Sequence, residues 1–183
     1  MLTAIGNLMA EHRQIESVLN ALERLINSSE RHGQSITPAQ IRDFADFFNE
    51  FVDHCHHGKE EELLFSAMLK FGFSSESDPM QCLLAEHTEG RQIVRVLLQI
   101  GSAEGPIDTD TQRQFIAYAR NYIDLLRSHI LKEDRILLPM AIQALPPDVM
   151  QAVGDACTDF DAHHIGAAAL SGWRDLARRL TQI

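Results

Sequence analysis

Nine histidines stand in a chain of 183 residues that has one Trp and two Tyr, and several sit at a fixed spacing from a carboxylate. His57 with Glu61, and His129 with Glu133, are four residues apart. On a helix that spacing puts both side chains on one face about a turn apart, so a single cation can be held by both. His12 and His87 add two more imidazoles. A single buried histidine is ordinarily a hydrogen-bonded core residue. Two buried, ionised glutamates are different, because without cations they would cost many kcal/mol or be forced into large pKa shifts. The chemistry these residue types suggest is therefore metal binding.

The elements that must position them are legible from Pro and Gly, which cluster at 33–38, 72–79, 101–106 and 146–147 and leave long stretches between. The stretches predict helices over about 3–30, 38–70, 79–100 and 110–145, with one or two shorter helices from 147 onward. Thr37-Pro38-Ala39-Gln40 and Asp78-Pro79-Met80-Gln81 each offer a capping oxygen, a proline for the first helical position and Gln three residues on. Period-2 strand patterns are absent. Four long helices with short connections predict an all-α, up-down-up-down four-helix bundle over 1–145. A C-terminal helical extension, 146–183, is expected to pack on or beside it.

The apolar periodicity threads the candidate ligands through the bundle interior. Ile5, Leu8, His12, Ile15, Leu19, Leu22 and Ile26 form one seam; Leu83, His87, Gly90, Val94 and Leu97 form another. Helix four contributes Ala119, Tyr122, Leu126, His129, Glu133, Ile136 and Met140. In helix two, the stripe Phe44, Phe47, Phe48 and Phe51 carried forward at about 3.5 residues per repeat passes through His54, His57, Glu61 and Met68. His56 and Glu60 then rotate to the flank. At about 1.5 Å per residue, His12 and His57 lie within roughly 3 Å of the same depth. Six ligands, His12, His57, Glu61, His87, His129 and Glu133, exceed what one tetrahedral zinc uses. Imidazole mixed with carboxylate suits iron or manganese. Two ions bridged by Glu61 and Glu133 fit the count. Ferritin-like sites need Glu three residues before His, and none of the nine histidines has it.

The segments HCHHGKEEELLF at 54–65, LLAEHTEGR at 83–91 and HILKEDRILLP at 129–139 resemble those of hemerythrin-like, HHE cation-binding domains, and the resemblance covers about residues 4–145. It implies a four-helix bundle around a non-haem, carboxylate-bridged di-iron centre, with manganese or zinc as substitutes, and places ligand roles on the same six residues. Animal oxygen carriers of this family have a second helix-three histidine where this chain has Arg91, and a carboxylate five residues after the helix-four histidine, here Asp134. The chain is thus more similar to bacterial HHE proteins with four His and two Glu. That implies binding of dioxygen or nitric oxide, or a part in iron and redox stress. The alternative is a di-iron enzyme of the oxidase or iron-sulfur cluster repair type.

The remaining residues read more plainly. His56 with Glu60 reads as a solvated pair, His54 as packing, Glu16 as a surface charge, Tyr122 as core, and His163 and His164 as solvated or capping groups of the tail. Lys and Arg total 16 against 26 Asp and Glu, a formal charge of −10, which argues against a nucleic-acid partner. No apolar run approaches the roughly 20 residues of a membrane span, and the N-terminal segment has no leader pattern. Cys55, Cys82 and Cys157 form no CxxC pair and are expected to be reduced thiols, Cys55 as a small buried residue. A cytoplasmic protein is expected, with the amphipathic tail capping the bundle or forming a homodimer.

Overall fold

In the computed structural model, which describes residues 4–74, 76 and 79–182, the chain forms six helices and, among the described residues, no strand. We number them α1 (Ala4–His32), α2 (38–70), α3 (Met80–Gly101), α4 (109–144), α5 (147–165) and α6 (Ala167–Thr181). The first four make the all-α bundle, joined by the connections that Gly and Pro marked. α2 packs on α3, α3 on α4 and α4 on α1.

The start of α2 is fixed by both halves of a capping box. Gln40 N–H donates to Thr37 Oγ1 at 3.2 Å, and Thr37 N–H donates to Gln40 Oε1 at 2.9 Å, with Pro38 in the first turn. At α3 the expected cap, Asp78, lies outside the described residues; Pro79 takes the N-cap position, and the helix begins at Met80, one residue later than expected.

Neither α2 nor α4 is uniformly α-helical. α2 widens into π-helical turns over Phe47–His57 and Glu60–Phe65, and α4 does so over Glu133–Leu137. Pairing of residue i with i+5 puts more residues into each turn, so the interior face advances in longer steps than 3.5. From Phe51 it runs to Cys55 and His56 and then to Glu60, all buried, while His54 turns outward. In α4 it runs from Glu133 to Leu137 and Ala141, and Ile136, expected on the seam, is 47% exposed. The seams of α1 and α3 are buried as read from the sequence.

Two apolar clusters result, one on each side of a polar layer. The larger gathers Phe44, Phe47, Phe48 and Phe51 of α2 with Leu19, Leu22, Leu97, Phe115 and Leu126. The smaller gathers Leu8, Leu64, Phe65, Met68, Leu83, Leu137 and Leu138 with Val153 and Cys157 of α5. Burying side chains of this size contributes about 1.5–3 kcal/mol each, which offsets the desolvation of the polar groups held between them. α5 and α6 pack against α1 and α2. The chain turns between them at Gly166, whose φ of +86° lies where a side chain would be strained. No helix among the described residues is long and apolar enough to cross a membrane.

Candidate metal centre

The polar layer is formed where all four bundle helices present histidine or glutamate at one level. His12 comes from α1, His56, His57 and Glu60 from α2, His87 from α3, and His129 and Glu133 from α4; all seven are at most 4% exposed. They fall into two groups whose donor atoms lie within 4.8 Å of one another: His57, Glu60, His87 and His129, and His12, His56, Glu60 and Glu133. Glu60 belongs to both. Its Oε1 faces His12 Nε2 at 3.7 Å and His56 Nε2 at 3.4 Å, and its Oε2 faces His87 Nε2 at 3.7 Å. Glu133 straddles the groups in the same way, with Oε2 3.2 Å from His12 Nε2 and Oε1 3.3 Å from His129 Nε2. There is thus a three-imidazole end and a two-imidazole end, with two carboxylates between.

Four of the five imidazoles are turned inward by a carboxylate hydrogen-bonded to the other nitrogen. Nδ1 of His12 meets Asp134 at 2.7 Å, that of His56 Glu11 at 2.8 Å, that of His87 Glu61 at 2.7 Å and that of His129 Glu86 at 3.1 Å. His57 Nδ1 stands 3.5 Å from Asp53. These carboxylates are held in turn by cations: Asp134 by Arg13, Glu11 by Lys59, Glu86 by Lys132, and both Glu61 and Asp53 by Arg91 at 2.7 Å. Such outer carboxylates fix the tautomer and orientation of metal-binding imidazoles and raise their basicity.

The inward atoms fit a cation. His12 Nε2, both ring nitrogens of His57 and all four carboxylate oxygens of Glu60 and Glu133 are buried without a hydrogen-bond partner, an expensive arrangement for two carboxylates at 0% exposure. The Nε2 atoms of His87 and His129 point at one another at 3.1 Å. Two donors on one ion at right angles, each about 2.1 Å from it, lie about 3.0 Å apart. The charge environment of each group points the same way. Burial works against charging His12, yet the carboxylates of Asp134, Glu133 and Glu60 hold its pKa up at about 12. His129, against the same penalty, is raised to about 9 by Glu133, Glu86 and Glu60. Burial, then His87, His56 and His129, pushes His57 well below 6.5. Glu133 is lowered despite burial, by His129 and His12. The layer demands positive charge, which either protons or metal ions can supply, so metal uptake would release protons.

A sequence model of the hemerythrin HHE cation-binding domain matches residues 3–141. The chain belongs to this family. No curated protein and no solved structure matches it. The match and the two donor groups together make it a metal-binding hemerythrin-like protein.

Of the six residues singled out from the sequence, the hemerythrin-like fold brings five, His12, His57, His87, His129 and Glu133, into the donor groups. Glu61 is not among them: its side chain is 28% exposed and backs His87. Its expected place is taken by Glu60, and His56, read as solvated, is 1% exposed and joins the two-imidazole end. The physical reason is the π-helical widening of α2, which carries the interior face to residues 56 and 60. The signal that could have found them was present, since His56 and Glu60 share the four-residue spacing of the chosen pairs. His54, placed on the stripe, is exposed and faces Glu50. His163 and His164 are exposed on α5. Tyr122 is buried against Phe48. Beside the three-imidazole end a cavity of about 150 Å³ runs from exposed His54 and Arg95 inward to Asp53, Arg91, Tyr122 and His57.

Proposed function

We propose that this hemerythrin-like protein holds two iron ions, bridged by Glu60 and Glu133, and binds a small diatomic ligand, dioxygen or nitric oxide, in a response to iron or redox stress. The observation that carries the reading is the set of inward nitrogens and carboxylate oxygens left without partners around two donor groups that share Glu60. Manganese and zinc are the competing ions, since imidazole and carboxylate serve all three. Bound iron would supply one-electron chemistry and a coordination position for the ligand.

The chain's own residues do the rest. His57, His87 and His129 would hold one ion and His12 and His56 the other, so the two-imidazole end has one protein donor fewer and is where a ligand finds room. Asp134 and Glu11 hold the ring nitrogens there in register. The apolar clusters pack against the layer on either side.

The test is the metal content of protein expressed in iron-replete cells and purified without oxygen, together with its visible spectrum. About two irons per chain, with charge-transfer bands that change reversibly on exposure to dioxygen or nitric oxide, is the expected result. Near-zero metal in a folded protein, or an iron-loaded protein without such bands, would overturn it. The cavity beside His57 favours a second reading, a di-iron enzyme, because its polar walls would admit a small polar co-substrate. That reading requires multiple turnovers with a reductant, and a reaction that stops at one equivalent excludes it.

A further inference from the structure

Four cations back the carboxylates of the centre, and three of them have solvent to fall back on: Arg13 is 54% exposed, Arg91 32% and Lys132 30%. Lys59 is different. Its side chain is 2% exposed, and it is clamped between Glu11 and Asp161, the latter at 2.9 Å. Glu11 is the carboxylate on His56 Nδ1. Asp161 lies on α5, outside the residues that match the family.

We propose that Asp161 is a positioning residue of the metal centre: through Lys59 it holds Glu11 against His56, so the C-terminal extension sets the strength of the two-imidazole end. The proposal rests on the two-ion reading above. A buried ammonium is stable only when its donors are satisfied, and Lys59, 2% exposed, has far less access to solvent than the other three cations. Without Asp161 the ammonium keeps Glu11 alone and follows it, or turns outward. In either case Glu11 is no longer pinned between two fixed groups and His56 loses its rigid backing.

Two further observations bind α5 to this spot. A Cβ built on Gly58, between His57 and Lys59, would stand 3.1 Å from the Phe160 ring, so a side chain there would press that ring back by a few tenths of an ångström. Cys55 Sγ lies 3.7 Å from Asp161 Oδ1, and Glu11, Cys55 and Asp161 are near enough to share a cation. Lys59 Nζ already serves as that cation, bonded to both carboxylates. The cluster is a clamp made with an ammonium, not a third metal site.

The experiment is a cobalt(II) titration of the full-length, metal-free protein, followed by visible d–d absorption, with helicity measured in parallel. Two equivalents are expected, and the one lost in His12→Ala is the two-imidazole end. Lys59→Met should weaken that equivalent by about 10–100-fold, the range for lost backing of a ligand. Asp161→Ala should weaken it by at least about 3-fold, with the other equivalent unchanged in both variants. Asp175→Ala, in the exposed pair with Arg178 on α6, should titrate like the parent protein. If Lys59→Met fails to fold, Asp161→Ala decides, because its side chain is 30% exposed and its removal strands less. Parent-like titration of Asp161→Ala, or equal weakening of both equivalents, overturns the proposal. An unsubstituted protein that takes up no second equivalent overturns the two-ion reading instead.

Discussion

The two ends of the centre use the same donor chemistry and differ in what stands behind it. At the three-imidazole end, His57, His87 and His129 are backed by Asp53, Glu61 and Glu86, whose cations Arg91 and Lys132 are about a third exposed, and a cavity runs alongside. At the two-imidazole end, His12 rests on Asp134 and half-exposed Arg13, whereas His56 rests on Glu11, sealed Lys59 and a residue of the extension. The difference teaches that burial of the ligands does not imply burial of their supports. Where water can replace a partner, loss of that partner costs little; where it cannot, the support becomes part of the site.

The largest effect should erase the comparison altogether. Glu60 and Glu133 each face both ends, so Glu60→Ala or Glu133→Ala is expected to take metal content from about two ions per chain to near zero, read by elemental analysis. Glu61→Ala provides the contrast: it should keep both ions and bind one more weakly. Two ions retained in Glu60→Ala, with Glu61→Ala losing both, would return the bridging role to Glu61 and break the assignment.

Single-imidazole removals should separate the ends. His87→Ala is expected to lose the ion of the three-imidazole end and His12→Ala that of the other, each leaving about one ion per chain with helicity intact. Loss of both ions from either variant would mean that the ends are one cooperative unit and not two sites sharing bridges.

Removing the metal should expose the charge demand of the layer as a pH dependence of stability. His12 and His129, with folded pKa values of about 12 and about 9 against 6.5, contribute stability that is fully present below about pH 6.5 and is lost as pH rises through 9 and beyond. His57 is pushed well below 6.5 and works the other way, costing stability as pH falls below 6.5. Glu86 is lowered from 4.5 to about 2, since His129 and Lys132 outweigh its burial; its contribution is present above about pH 4.5 and lost toward 2. The metal-free protein should therefore have its highest Tm at mildly acidic pH and a falling Tm from 6.5 to 9. The metal-loaded protein, with cations in place of protons, should hold or gain Tm over that range. A metal-free Tm that climbs from 6.5 to 9 would contradict this account.

How much of this was legible in the sequence follows from helix geometry. Where a helix keeps 3.6 residues per turn, as in α1 and α3, the apolar period led directly to His12 and His87. Where it widens, in α2 and α4, a fixed period drifted: it missed His56, Glu60 and Leu137 and selected His54, Glu61 and Ile136. The helix boundaries were legible because Pro, Gly and the Thr37 capping box act locally. The backing carboxylates were not, because Asp134, Glu11, Glu61 and Glu86 carry ordinary surface residue types, and only tertiary packing brings all four to a histidine on another helix by way of Nδ1. Asp161 was least legible of all, since it lies beyond the segment that matches the family and touches the centre's supports only through Lys59.

The smallest effect tests the exposed supports. Arg91 donates through Nε to Asp53 and through Nη2 to Glu61, both at 2.7 Å, and with His87 it holds the Glu61 carboxyl below its usual range. Lysine keeps the charge but not the fork, so Arg91→Lys can serve one carboxylate at a time. Because the Arg91 side chain is 32% exposed, water will meet the other. The expected result is a weakening of about 2–5-fold at the three-imidazole end in the cobalt titration, with the two-imidazole end unmoved. An effect as large as that of Lys59→Met would mean that solvent does not substitute for Arg91, and exposure would then no longer separate the two ends.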